Sequence, residues 1–346
     1  MVKIQDHRPS FAARIKDDQG AALLTVILLV AVMSTAAVAF LDLSIFTLQT
    51  ASRYKIQAQT REYARAAEIL AAEKAGDFRR SSDYLALIGA DLSARQVEIP
   101  IQGGAVRAIL SAANNCFNLH SLAYPPEDIP NDLTGQSRDE AKQLTPAAQY
   151  QRLLGALGLG AQAAKALTAA TTDWQDPDSR VRQGGAEDRD YARQVVPYAA
   201  SNRPLADISE LSLISGYTPA LIAALKPYVC LRGRGLVQRL NINTMNKDHA
   251  PLLVAMIGHG LTLQEAQQLL IDRPVGGYDY LGNFWKHKLL ENRNIPQYIR
   301  SLFGKDTDYY QVMIDVKYYD GRSQLFSLIK AESDGSTQII SRKFGN

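Results

Sequence analysis

The chain has 346 residues, 46% of them hydrophobic and 21% charged, a balance that excludes a disordered polypeptide and leaves room for more than one folded unit. Its 38 basic and 35 acidic side chains leave a formal charge of +3, so no global field singles out nucleic acid or an acidic substrate. The two cysteines, Cys116 and Cys230, lack metal-thiolate spacing and suffice for one disulfide if the body lies outside the cytoplasm; two buried free thiols are the other reading.

Residues 1–20 form a polar leader ending at Gln19-Gly20 and carrying Lys3, Arg8, Arg14 and Lys16, with Asp17 and Asp18 opposing them. Basic residues before an apolar run favour a cytoplasmic N-terminus. Residues 21–41 read AALLTVILLVAVMSTAAVAFL without a charge, which matches the ~20 residues a helix needs to cross the hydrocarbon core. A cleaved export signal is the competing reading, but the run is long for one and no small-x-small site follows at once. The sequence continues without Gly or Pro to Ala75, with Ile45, Leu48, Tyr63, Ala67 and Leu70 near helical spacing, which predicts one helix of about 80 Å, half in lipid and half projecting as a stalk. Leu41, Ile45 and Leu48 are the positions expected to pack against partner helices.

Further along, the runs on either side of Gly103-Gly104 in QVEIPIQGGAVRAILS predict a β-hairpin. Asp320-Gly321 and Asp334-Gly335 give two more hairpin signals near the C-terminus. Between them, residues 124–304 carry amphipathic helical runs such as TPAAQYQRLLGAL, PALIAALKPYV and LTLQEAQQLLIDR. The simplest architecture is α+β: an antiparallel sheet packed on the stalk helix and interrupted by a large inserted α-helical domain. The expected boundaries are a leader at 1–20, a transmembrane helix at 21–41 and a stalk at 42–76. The platform is expected at 77–123 and 305–346, with the helical insertion at 124–304.

Within the insertion, Asp173, Asp176, Asp178, Glu187 and Asp188 gather carboxylates in a Gly- and Pro-rich loop. Such a loop can supply the oxygens that Ca²⁺ requires, or its acids can cap helices and pair with Arg180, Arg182 and Arg189. Asp176, Asp178 and Glu187 fall at positions one, three and twelve of an EF-hand register, but Arg180 and Val181 at positions five and six exclude an EF-hand. The turn Ile257-Gly258-His259-Gly260-Leu261 has the look of a helix-hairpin-helix, with Arg232, Arg234 and Arg239 as possible phosphate contacts. Its own neighbours are apolar or acidic, including Glu265, so a DNA-binding role is disfavoured. The histidines have no metal-ligand spacing, and no GxSxG, P-loop or Cys-His arrangement is present, so nothing positive supports an enzyme.

The leader, Gly20 and the run ALLTVILLVAVMSTAAVAFLDLSIF resemble the N-terminus of the type II secretion minor pseudopilin family called general secretion pathway protein K. CFNLHSL at Cys116 to Leu122, DWQDPDSRVRQGGAEDRDY at Asp173 to Tyr191 and RLNINTM at Arg239 to Met245 extend the resemblance over most of the chain. It implies a pilin-like fold and cleavage between Gly20 and Ala21 by the prepilin peptidase. It further implies calcium in the helical domain, assembly with the I- and J-type minor pseudopilins and the major pseudopilin, and a bacterial inner-membrane anchor with a periplasmic body. Gln19 stands where most pilin-like leaders have a basic residue. Thr25, at the fifth mature position, replaces the usual Glu, as is typical of this family. Without that carboxylate the subunit cannot pair with the N-terminal ammonium of a subunit ahead of it, which suits the tip of a fibre; the other reading of Thr25 is a tolerated polar residue that hydrogen-bonds to its own helix. A DNA-uptake pseudopilin is the rival class.

Overall fold

The computed structural model describes residues 15–81, 96–123, 144–232 and 239–345. Helix α1 runs from Ile15 to Ser81 as one element of 67 residues, about 100 Å long at 1.5 Å per residue. It begins inside the leader and passes six residues beyond Ala75, because Gly20 alone does not break a helix and Gly76 is accommodated for another reason. A Cβ on Gly76 would lie 2.3 Å from the carbonyl oxygen of Gly335, so the glycine lets the helix and the sheet touch backbone to backbone. Along the apolar half, the hydroxyls of Thr25, Ser34, Thr35, Ser44, Thr47 and Thr50 each donate to a carbonyl three or four residues back. No hydroxyl in that run therefore needs a solvent or lipid partner.

The upper half of α1 lies across a five-stranded antiparallel sheet. Its strands are β1 (Gln96–Ile101), β2 (Gly104–Ala112), β7 (Tyr309–Tyr318), β8 (Gly321–Ala331) and β9 (Thr337–Gly345), hydrogen-bonded in that order. The period-two pattern turns Tyr310, Val312, Ile314 and Val316 of β7 inward, against Ala64, Ala67, Ala71, Ala72 and Ala75 of the helix. Small residues on the helix side bring the two layers close. At the lower end, a Cβ on Gly321 would meet Ile56 Cγ2 at 2.5 Å, so the sheet clasps α1 from about residue 56 to residue 76. Glu68, fully buried in this seam, accepts hydrogen bonds from Ser327 Oγ and from Arg342 Nε at 2.9 and 3.0 Å, and is also met by Arg342 Nη2.

Between β2 and β7 the chain builds a helical body. Its first lobe contains β3 (Phe117–Asn118), a 3₁₀ turn at Leu119–Ala123, α2 (Pro146–Ala156), α3 (Ala161–Gln175), α4 (Asp188–Tyr191), α5 (Pro219–Leu225) and β4 (Val229–Cys230). Its second lobe contains β5 (Leu240–Asn241), α6 (Ala250–Ile257), α7 (Leu263–Ile271), α8 (Leu281–Trp285), α9 (Gln297–Ser301) and β6 (Phe303–Gly304). Each lobe is closed at its neck by a short parallel pairing, β3 with β4 and β5 with β6. Cys116 and Cys230 seal the first neck as a disulfide with an S–S distance of 2.09 Å. Local caps match the sequence: Thr145 Oγ1 accepts the Ala148 N–H at the start of α2, and Thr262 with Glu265 forms a capping box on α7.

Both lobes share one core, in which Tyr150, Leu153, Leu154, Trp174, Leu252, Leu253 and Phe284 are buried together. Phe117, Leu119 and Leu122 belong to this core, which moves the expected boundary. The sheet's first part ends at Ala112, and the helical body starts at Cys116 instead of residue 124. The apolar side chains of CFNLHSL face into the helical layer once the 3₁₀ turn redirects the chain.

Asparagines seam the body to the sheet. Asn114 Oδ1 accepts the N–H groups of Asp308 and Tyr309, while its Nδ2 donates to the carbonyls of Arg239 and Asp306. Asn115 exchanges hydrogen bonds with the backbone of Asn241, whose own Nδ2 reaches Lys305 and Thr307. Arg232 lies over the Tyr309 ring at 4.2 Å and donates to the carbonyl of Ala113.

Candidate functional site

Two features stand apart from the packed core. The first is the bare lower part of α1. Leu41, Ile45 and Leu48 are exposed, together with Leu43 and Phe46, and Asp42 is the only charge between Ala21 and Thr50. Ala21–Ser81 is long and apolar enough, by length and composition, to cross a membrane. At 1.5 Å per residue, the ~20 residues of a bilayer crossing end near Leu41, and about 20 Å of exposed helix remains below the platform, apolar at Leu43, Ile45, Phe46 and Leu48 and polar from Gln49 to Lys55 apart from Ala51 and Tyr54. Among the described residues nothing covers that surface. Thr25 lies on this segment with its Oγ1 donating to the Ala22 carbonyl at 2.8 Å, so the fifth position after Gly20 presents neither a charge nor a free donor. Gly20 and Ala21 lie within the helix.

The second feature is the acidic loop after α3. Carboxylate oxygens of Asp176, Asp178 and Glu187 lie within 4.8 Å of one another, which is about twice the Ca–O bond length and lets three such oxygens share one ion. Asp176 and Glu187 are buried, and Asp178 is exposed. One oxygen of Asp176 and both oxygens of Glu187 are buried without a hydrogen-bond donor of normal geometry. Burial pushes the Glu187 carboxyl up to about 7, reinforced by the charges of Asp173 and Asp176. Buried, unpaired and crowded carboxylates are costly unless a cation joins them, so the residues present fit a hard divalent ion.

The five acids of the loop do not act alike. Asp173, fully buried at the end of α3, is taken by Arg182, whose Nη1 lies 2.7 Å from Oδ1 and whose N–H donates to Oδ2. Gly185 packs so closely that a Cβ there would lie 1.9 Å from Asp173 Oδ2. Arg182 also reaches Asp176. Burial raises the carboxyls of both Asp173 and Asp176, with Arg182 opposing that rise. Asp188 accepts the Ala200 N–H at 2.8 Å and so pins the following loop. The structure thus brings together Asp176, Asp178 and Glu187 and sets Asp173 and Asp188 to structural tasks. Behind them, Trp174 meets Tyr191 edge-on at 5.1 Å, and Tyr191 stacks on Tyr198.

The helix-hairpin-helix look-alike proves to be a packing device. Gly258, His259 and Gly260 all take positive φ. The basic residues around the turn are directed inward: Arg293 donates to the His259 carbonyl and pairs with Glu265, and Arg152 donates to the Ala255 carbonyl. Arg232 is buried at the seam and is therefore not available to a phosphate backbone; Arg234 lies outside the described residues. The signals that sequence reading did not assemble are the asparagine seam and the Glu68–Arg342 pair. Their partners lie 64 to 274 residues apart in sequence.

A long N-terminal helix, apolar and bare below and clasped by an antiparallel sheet above, with a helical body inserted between two strands, defines a pilin-like subunit. Family models described as type II secretion system protein K match residues 115–234 and 240–304, almost coinciding with the two lobes. Type II secretion system protein K of Klebsiella pneumoniae is 30% identical over 328 residues, covering 94% of this chain and 96% of that protein. The protein of the same name from Pectobacterium carotovorum is 29% identical with the same coverage. A crystal structure of the GspK–GspI–GspJ complex from the enterotoxigenic Escherichia coli type 2 secretion system superposes with a TM-score of 0.66 at 25% identity, covering 86% of this chain and 99% of the other. The chain belongs to the type II secretion system protein K family, and its role is that of a minor pseudopilin.

Proposed function

We propose that this chain is the tip subunit of a type II secretion pseudopilus. It is held in the bacterial inner membrane by a single crossing, with the N-terminus cytoplasmic and the body periplasmic. The observation that carries this reading is the division of α1 into a clasped upper half and a bare apolar lower half, since exposed Leu41, Ile45 and Leu48 require sister helices. The partners are the companion minor pseudopilins of the I and J types, followed by the major pseudopilin. Support comes from the relative crystallised in a GspK–GspI–GspJ complex. Thr25 lacks the carboxylate that would tie it to a subunit ahead, and the inserted body is too bulky to be built upon, so the chain nucleates and caps the fibre. Its task is to support protein export across the outer membrane.

The test is co-purification of the full chain with its companion pseudopilins from membranes. The wild type is expected to bring both down, and Ile45→Asp with Leu48→Asp to lose them; a wild-type chain that purifies alone overturns the reading. Replacing Gly20 by a bulky residue is expected to block maturation by the prepilin peptidase and stop secretion. Retention of DNA by the body in a salt-sensitive manner would favour the uptake rival instead.

The loop after α3 holds Ca²⁺ in this proposal, with Asp176, Asp178 and Glu187 as side-chain ligands. A bound calcium ion supplies positive charge that neutralises buried carboxylates and ties α3 to α4. Chelation is then expected to lower the melting temperature of the body, with calcium restoring it; Glu187→Gln should be insensitive to both. An unchanged melting curve in chelator removes calcium from the account.

A further inference from the structure

Among the described residues, the cation at the neck of the first lobe has no anion. Arg232 follows β4, and its N–H donates to Asn118 Oδ1 at 3.1 Å, which prolongs the pairing of β3 with β4. That pairing carries the guanidinium to the disulfide. Its Nη2 donates to the Ala113 carbonyl and stands 3.7 Å from Cys116 Sγ, while Cζ lies over the Tyr309 ring at 4.2 Å. Nε and Nη1 are buried without a hydrogen-bond partner. Burial lowers the guanidinium to about 10, so it stays charged at neutral pH. A buried charge without a counter-charge is costly, and a carbonyl and an aromatic face offset only part of that cost.

The two sulfurs of the neck are not equivalent. Arg232 and Cys116 are each only 7% exposed, whereas Cys230 is partly exposed. In thiol–disulfide exchange an external thiolate attacks the sulfur it can reach, and the other sulfur leaves as a thiolate, faster the lower its own pKa. A neighbouring arginine lowers that pKa.

We infer that Arg232 gives this disulfide a direction: Cys230 Sγ is the atom that external thiols attack, and Cys116 Sγ is the leaving thiolate, received by the buried guanidinium. The attacking thiolate forms a new S–S bond to Cys230. The Cys116–Cys230 bond breaks, and its electron pair goes to Cys116 Sγ, which needs no proton beside Arg232. A second external thiolate attacks the bound thiol's sulfur and releases Cys230, which takes a proton from water. Two external thiols are thereby oxidised to one disulfide while the neck is reduced. Closure runs the same path backwards, with Cys116 as the attacking thiolate. Arg232 is thus a positioning residue for the neck, a role separate from the fibre assembly proposed above. In the closed neck it has only neutral neighbours, and opening the bond supplies the anion it lacks.

The experiment treats the full chain, in detergent-solubilised membranes at neutral pH, with reduced glutathione. Samples are quenched in acid at successive times and mapped by mass spectrometry for glutathione on each cysteine. In the wild type the adduct is expected on Cys230, with Cys116 as a thiol. Arg232→Met is expected to lose the disulfide about fivefold more slowly, because the leaving sulfur no longer has a charge beside it. Arg232→Lys keeps the charge and should stay near the wild-type rate. The sign separates this role from a purely structural one, since a seam loosened by the substitution would expose the bond and speed its reduction. The inference is overturned by glutathione on Cys116, by a neck that glutathione does not open, or by a folded Arg232→Met chain reduced as fast as the wild type or faster. An Arg232→Lys chain as slow as Arg232→Met overturns it equally. The mapping needs only the wild type, so it decides the matter even if Arg232→Met does not fold.

Discussion

Glu187 shows how a single carboxyl reports on the state of its loop. Its folded value of about 7 lies above the ordinary 4.5, so between those values the folded chain holds a proton that the unfolded chain releases. The stability this contributes is complete below about pH 4.5 and is lost as the pH rises through 7. In chelator, thermal denaturation of the wild-type body relative to Glu187→Gln is therefore expected to show stability falling from pH 5 to 8. If the loop holds calcium as proposed, adding the ion should abolish or reverse that fall, because a cation favours the ionised carboxylate. An identical pH dependence in the two proteins would show that Glu187 is ionised throughout. The acidic cluster was legible in part: the loop composition gathers Asp173, Asp176, Asp178, Glu187 and Asp188, of which three carboxylates, those of Asp176, Asp178 and Glu187, come within 4.8 Å of one another. The diversion of Asp173 to Arg182 and of Asp188 to Ala200 was not, since both depend on how the loop folds back on α3.

Among the elements, the hairpins at Gly103-Gly104, Asp320-Gly321 and Asp334-Gly335 were readable, because turn chemistry and alternation are local signals. The end of α1 was misjudged at Gly76, where a residue that ordinarily stops helices serves instead for close contact with Gly335. The seam between α1 and β9 was beyond reach, since Glu68 and Arg342 are 274 residues apart. That seam makes a sharp prediction. Arg342→Ala leaves the buried Glu68 carboxylate with Ser327 alone and should cost about 3 kcal/mol, below the full cost of a wholly buried pair because Arg342 is partly exposed. Chemical denaturation checks it; the added change Glu68→Gln should recover much of the loss. If Arg342→Ala is neutral, the pair does not hold the C-terminal strand to the stalk.

At the scale of the molecule, the disulfide and the asparagine seam make one body of sheet and helical lobes. Cys116 and Cys230 are separated by 114 residues, and replacing both by serine is expected to destabilise the body by roughly 4–5 kcal/mol in the chain-entropy picture. The melting transition of the double variant, matched against reduced wild type, measures it; equal transitions in oxidised wild type and variant would mean the cross-link is idle.

The necks of the two lobes carry a further consequence. Chain enters and leaves each lobe side by side, so Ala112 and Tyr310 stay paired whatever is hung between them. The rod and its clasp are blind to the size of their cargo. Insertions, deletions or exchanges within either lobe are therefore absorbed beyond its neck, without retuning the rod or the sheet that holds it.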